Sequence, residues 1–142
     1  MKTRLQYESV GYLLTQICKM RRNKMNEMLA AHDMHAGQDM LVYHLHQQDG
    51  QTISELVEKI CIQPATVSGM VSRMEATGIV VRRKEDEDRR ISRVYLTETG
   101  KASYKAVSDI WKKLELQTTQ GLTDTEKEVA AKLLKSMLSN FD

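Results

Sequence analysis

From Val10 onward apolar side chains recur at steps of three and four. Val10, Leu13, Leu14, Ile17, Arg21, Met25, Met28 and Leu29 share one face, which predicts a long helix ending near His32 and Asp33. A shorter pattern from about 36 to 47, with Met40, Leu41, Tyr43 and Leu45 partly inward, predicts a second helix closed by Gly50. Thr52-Ile53-Ser54-Glu55 has the form of a capping box, in which the threonine oxygen accepts from the third helical residue and the glutamate reaches back. The helix it opens carries Ile53, Leu56, Val57 and Ile60 on one stripe and ends by Cys61. After a short turn Pro64, the chain's single proline, stands where proline suits a first helical position. Val67, Met70, Val71 and Met74 repeat the stripe, and Gly78 followed by Ile79 has the character of a left-handed stop.

Two helices joined by a tight turn predict a helix-turn-helix. Val80-Val81-Arg82-Arg83-Lys84 and Ile91-Ser92-Arg93-Val94-Tyr95-Leu96 are strand-like, and the charged segment between them predicts a projecting hairpin, a wing. Two further helices follow. One runs from about 97 to 119 with Tyr104, Val107, Trp111, Leu114 and Thr118 in series and Ile110 alongside. The other is opened by the box Thr123-Asp124-Thr125-Glu126 and carries Val129, Leu133, Leu134, Met137, Leu138 and Phe141.

The expected fold is therefore α+β, mainly α: a winged helix-turn-helix over about 36–96, flanked by long helices over about 5–34 and 97–141. The flanking helices offer more apolar surface than a small winged domain covers. A two-fold homodimer buries that surplus most simply, with Val10, Leu13, Leu14, Trp111, Leu114, Leu133, Leu134, Met137, Leu138 and Phe141 at its interface.

Composition narrows the class. At 142 residues, 41% hydrophobic and 28% charged, the chain suits one soluble globular domain and excludes collagen-like, disordered and disulfide-scaffold sequences. No apolar run approaches the ~20 residues that cross a bilayer. The first 24 residues lack a small-residue cleavage site and read as the start of a helix, not a secretory leader. Two cysteines make no disulfide framework, and a reducing cytoplasm is the expected setting.

Net charge is only +2, yet its distribution is uneven. Arg73, Arg82, Arg83, Lys84, Arg89, Arg90 and Arg93 hold one third of the 21 lysines and arginines within a single short stretch. The outward face of the second helix of the pair, Ala65, Thr66, Ser68, Gly69, Ser72 and Arg73 behind Pro64, is small and hydroxylated. Such a face can enter a major groove ~12 Å wide, with its N-terminus and hydroxyls toward phosphates and base edges. In the wing, Asp88 stands two residues before Arg90 and can hold the guanidinium extended for a narrow minor groove, with Arg89 beside it. Glu85, Asp86 and Glu87 should turn to solvent. Of Arg82, Arg83 and Lys84, two should reach phosphate and the third should be solvated.

Other candidate chemistry is weaker. His32, His35, His44 and His46 cluster, but the later pair lies on different helix faces and there is no Cys-x-x-Cys or His-Glu-x-x-His, so no metal is expected. Cys61 reads as a packing residue. No nucleophile elbow, phosphate-cradling glycine loop or deaminase signature is present, so no enzyme and no cofactor are expected.

The segment TVSGMVSRMEATGIVVRRKEDEDRRISRVYLTETGK resembles the MarR-type family of winged-helix transcriptional regulators. Its most specific part is Asp88-x-Arg90 followed, after five residues, by Leu96-Thr97-x-x-Gly100. The resemblance implies a homodimer built on the first and last two helices. It also implies sequence-specific binding of a pseudo-palindromic double-stranded operator, repression, and control by a small-molecule effector or by oxidation. Two positions depart from the family. Gly69 stands where many members carry arginine, and Gly11 stands in the register of the peroxide-sensing cysteine, with Cys18 about two turns later. A redox- or metal-responsive regulator of the same fold, and a winged-helix protein-interaction module, remain as alternatives.

Overall fold

Ser9 accepts from the Tyr12 amide at 3.2 Å and so caps α1, Val10–Ala30. The computed structural model describes residues 8–142, so positions 5–7 of the expected first segment lie outside the described residues. The elements that follow are α2 (Gln38–Gln47), α3 (Ile53–Ile60), α4 (Pro64–Ala76), β1 (Val80–Lys84), β2 (Ser92–Leu96), α5 (Glu98–Thr118), α6 (Asp124–Leu138) and a closing 3₁₀ turn, Ser139–Phe141.

Both expected capping boxes form. The Glu55 amide donates to Thr52 Oγ1 at 3.1 Å while the Thr52 amide donates to Glu55 Oε2 at 2.9 Å, and Thr123 and Glu126 repeat the exchange at the head of α6. Helix α4 ends in a Schellman motif: the Ile79 amide reaches the Met74 carbonyl at 2.9 Å and the Gly78 amide reaches that of Glu75 at 3.1 Å, with Gly78 at φ +79°. Cys61 departs from its expected role. It is exposed and closes α3 in the left-handed region at φ +58°, with its thiol donating to the Glu58 carbonyl at 3.7 Å, so it terminates a helix and is no core residue.

The wing strands pair antiparallel with Val80 opposite Leu96 and Lys84 opposite Ser92. A third, one-residue strand flanks β2: Gln51 bridges to Val94, whose amide donates to the Gln51 carbonyl at 2.8 Å, and Asp49 Oδ1 accepts from the Leu96 amide at 2.9 Å. Gln51 is fully buried and satisfied, donating to the carbonyls of His44 and Gln48 and accepting from Lys59.

The core sits in the head formed by α2, α3, α4 and the sheet. Leu41, Val42, Leu45, Leu56, Val67, Met70, Val71, Met74, Val80 and Val94 are its centre, and Leu29 of α1, Met34 of the loop after it, and Val107 and Ile110 of α5 join it. The stem is different. Val10, Leu13 and Ile17 on α1 and Val129, Leu133, Leu134 and Leu138 on α6 are exposed, Phe141 is 88% exposed, and no residue of α6 is buried. Leu14 and Met137 are half-buried. Two residues expected at the interface also have contacts within their own protomer. Leu114 is buried, and Trp111 is half-buried, because α5 turns that side toward α1 and α2.

The head and stem meet at one tight joint. Thr97 caps α5 by accepting from the Gly100 amide at 3.1 Å, and its own amide donates to the Ile79 carbonyl at 3.0 Å. A Cβ on Gly100 would lie 2.1 Å from that carbonyl oxygen. Gly100→Ala should therefore destabilise by about 1–3 kcal/mol or more, because backbone must shift to admit a methyl group. Gly69→Ala, in an α4 position whose nearest outside atom is 3.7 Å away, should be neutral or stabilising by up to about 1 kcal/mol. Urea unfolding of the two variants beside the parent chain checks the contrast.

Candidate nucleic-acid interface

Pro64, which has no amide hydrogen, opens α4, and in place of a side-chain cap the Gln63 carbonyl accepts from the Thr66 and Val67 amides at 3.0 and 3.1 Å. Ala65, Thr66, Ser72 and Arg73 are exposed, and Ser68 and Gly69 are half-buried, while Val67, Met70, Val71 and Met74 face the core. The outward surface therefore carries the side chains expected of it. Arg73 arches back over Gly69, which has no side chain to block it.

At the wing tip the Asp88 carboxylate grips Arg90 three times. Oδ1 accepts from the Arg90 amide at 3.1 Å and from Nε at 3.0 Å, and Oδ2 accepts from Nη2 at 2.9 Å. The guanidinium is nonetheless 90% exposed, so it is held in place and offered outward. This fork-on-fork bonding holds the Asp88 carboxyl below the usual aspartate range, first through the side-chain bonds from Arg90 and then through its amide. It also holds the Arg90 guanidinium above its ordinary value. Arg89, also exposed, lies 3.5 Å from Asp86.

The remaining charges depart from the sequence expectation in two places. Glu85 does not turn to solvent. It is half-buried and accepts from Nε of Arg93, whose Nη1 donates to the Gly50 carbonyl at 3.0 Å and lies 3.6 Å from the capping carboxylate of Glu55. Glu85 is the largest cause that raises the Arg93 guanidinium above its ordinary value. Arg93 thus ties the wing stem to the head of α3, a role that nothing in its local sequence signals. Arg82 is the second departure. Half-buried, it folds back onto α4, where its Nη2 donates to Ser72 Oγ at 2.5 Å. Arg83, over the Tyr95 ring at 5.4 Å, and Lys84 are exposed.

Behind this surface α1, α2 and α5 enclose an open cleft of about 840 Å³, walled by Met25, Met40, Tyr43, Tyr104, Val107 and Trp111 and edged by Arg21 and Lys112. The indole of Trp111 donates to Asp39 Oδ2 at 2.7 Å, and Asp39 Oδ1 accepts from the Gly37 amide at 2.8 Å. Asp39, buried in the first turn of α2, has no sequence signature beyond its place near a helix start. Its partner lies 72 residues away. His46 stacks on Tyr104 with ring centres 3.5 Å apart, while His44 meets Tyr43 edge-on. Burial, then the charge of Lys59, lowers the His44 pKa, so it stays neutral near pH 7. Among the described residues no three His, Cys, Asp or Glu side chains form a metal-ligating group, and no helix is long and apolar enough to cross a membrane.

Known proteins share this arrangement. Residues 36–92, which span the helix-turn-helix and most of the wing, match the model of the MarR family. The chain is similar to the HTH-type transcriptional regulator SarZ of Staphylococcus haemolyticus, at 26% identity over 96% of this chain and 97% of that one. It is similar to the transcriptional repressor MprA of Escherichia coli, at 27% identity over 92% and 77%. Among solved structures it superposes on the S. aureus MepR–DNA complex with a TM-score of 0.86 at 25% identity, over 93% of this chain and 98% of the other.

The grip on Arg90 makes a pH prediction. A carboxyl whose folded pKa is depressed contributes stability above its unfolded value, about 3.9, and loses it as pH falls through the lower folded value. The Asp88–Arg90 pair should therefore persist unchanged from pH 8 to pH 5. An NMR carboxyl titration should place the Asp88 midpoint below about 3.9, and Arg90→Gln should return it toward that value.

Proposed function

Because the chain is of the MarR type, we propose that it is a homodimeric, sequence-specific DNA-binding transcriptional regulator, a repressor released by a small-molecule effector. Each protomer lays α4 in a major groove and places the Asp88–Arg90 tip in the neighbouring minor groove. Two-fold symmetry makes the operator pseudo-palindromic, with half-sites about one helical turn, roughly 34–36 Å, apart. The observation that carries this reading is Arg90, clamped by three bonds and yet almost wholly exposed, beside a small-faced helix. A pre-oriented cation loses little freedom on entering a narrow groove, where the potential is most negative.

The exposed apolar faces of α1 and α6 support the dimer. They are continuous with the closing turn that carries Phe141, and a second copy would cover them. The cleft behind the head supports effector control. A molecule lodged between the stem helices α1 and α5 and the head helix α2 touches both parts whose relation sets the spacing of the two reading heads. If it binds the two spacings unequally it shifts their populations. The names of relatives as transcriptional regulators support a role outside catalysis, exercised on DNA in the cytoplasm.

A mobility-shift titration against the promoter region of the chain's own gene, with scrambled duplex as control at moderate salt, tests the reading. The expected outcome is at least 10³-fold preference for one site. Arg90→Ala should cost about 1–3 kcal/mol of operator binding while fold and dimer survive. Leu134→Glu with Leu138→Glu should yield monomers by light scattering and lose operator binding with them. Equal affinity for every duplex sinks the proposal.

A further inference from the structure

The cations of the wing are not equivalent. Arg90 is 90% exposed and Arg89 68%, whereas the Arg82 side chain is 31% exposed and its Nε is out of reach of solvent. Arg82 sits in the middle of β1, opposite Val94, and everything on its other edge goes to α4. Its amide donates to Glu75 Oε2 at 3.1 Å, its Nε lies 3.6 Å from Glu75 Oε1, and its Nη2 donates to Ser72 Oγ. Ser72 and Glu75, three apart, share one face of the helix and receive the strand together.

We propose that Arg82 is a positioning residue for DNA recognition: it locks the wing to the recognition helix and so fixes the offset between α4 in its groove and the Arg90 tip in the next. This rests on the DNA-binding reading above, and it assigns Arg82 a role other than neutralising phosphate. The chemistry needs arginine. One planar fork donates to the Ser72 hydroxyl with Nη2 while its Nε, which has no hydrogen-bond partner, lies 3.6 Å from the Glu75 carboxylate, and a lysine ammonium has a single point of charge with no such span. Without the clamp the base of the wing stays tied to Gln51, Gly50 and the Ile79–Thr97 joint, but β1 loses its side-chain bond to α4 and the outer hairpin is less firmly set against that helix. The Arg90 tip then meets the minor groove in many orientations, only some of which are productive.

Positioning and phosphate contact make opposite predictions. Arg82→Lys and Arg82→Ala should both weaken operator binding by about tenfold or more. Both should leave the slope of log Kobs against log salt at the parent value, because no phosphate contact is lost. Lys84→Ala, the control for a true phosphate contact, should reduce that slope by about 0.9. Ser72→Ala should add little in the Arg82→Ala background. Without any DNA, hydrogen exchange at the amides of residues 80–84 should quicken in Arg82→Lys and in Glu75→Gln, with thermal unfolding confirming that both still fold. Parent-like affinity for Arg82→Lys, or a slope reduced by about 0.9 in Arg82→Ala, would overturn the proposal. Unchanged exchange in both mild variants would overturn the clamp itself. Indiscriminate binding by the unaltered chain would instead remove the DNA reading on which the role depends, even with exchange quickened.

Discussion

The carbonyl of Ile79 is where this molecule is joined. It accepts the amide of Thr97 at 3.0 Å, Thr97 Oγ1 lies 3.1 Å from it, and the first turn of α5 presses so close that position 100 has no room for a side chain. Ile79 ends the cap of α4 and precedes β1, and Thr97 ends β2 and starts α5. One acceptor therefore closes the base of the wing, fixes where the hairpin leaves the recognition helix and sets the angle at which the stem departs. The Leu96-Thr97-x-x-Gly100 pattern follows directly: a buried anchor from β2, a cap that bonds both ways, and a glycine that permits the contact. The stem helix α5 meets the head at this joint and again along the cleft between α1, α2 and α5.

The wing sets acids and arginines side by side on one short hairpin. A hairpin with four carboxylates in six residues ought to be repelled by phosphate. The structure assigns three of those carboxylates to arginines: Glu85 to Arg93 inside the stem, Asp86 to Arg89 and Asp88 to Arg90 at the tip. Exposed pairs of this kind add little to stability, typically under about 1 kcal/mol. Their value is geometric, since they replace a flexible cation by one with a set direction. The inner arginines Arg82 and Arg93 act on the hairpin as a whole, one toward α4 and one toward α3 and Gly50. The outer ones remain for a partner.

A second polar contact organises the other end of the head. Trp111 reaches from α5 to Asp39 at the start of α2, and Asp39 in turn holds the Gly37 amide. The bond joins stem to head across the cleft and holds one aromatic wall at a fixed orientation. His46 stacked on Tyr104 makes a neighbouring contact between the same two helices. Anything that enters the cleft must therefore work against, or with, contacts that already couple the two halves.

Helices, caps and turns were legible in the residues because each depends on neighbours within five positions. The two capping boxes, the proline at the head of α4, the left-handed Gly78 and the alternating strands are local chemistry. The inward stripe of α4 and the Asp88–Arg90 pair were legible for the same reason. What lay beyond the sequence was every contact whose partner is distant along the chain. Nothing near Arg82 announces Ser72, nothing near Arg93 announces Gly50 or Glu55, and Asp39 finds Trp111 only after α5 has returned across α2. The same limit applies to Leu114, whose stripe is apolar whether it meets a second copy or its own α1. Periodicity fixes which face of a helix avoids water, because that is a property of the helix alone. Which surface covers that face, and which of several like charges turns inward, is settled only when the folded chain brings separate elements to within bonding distance.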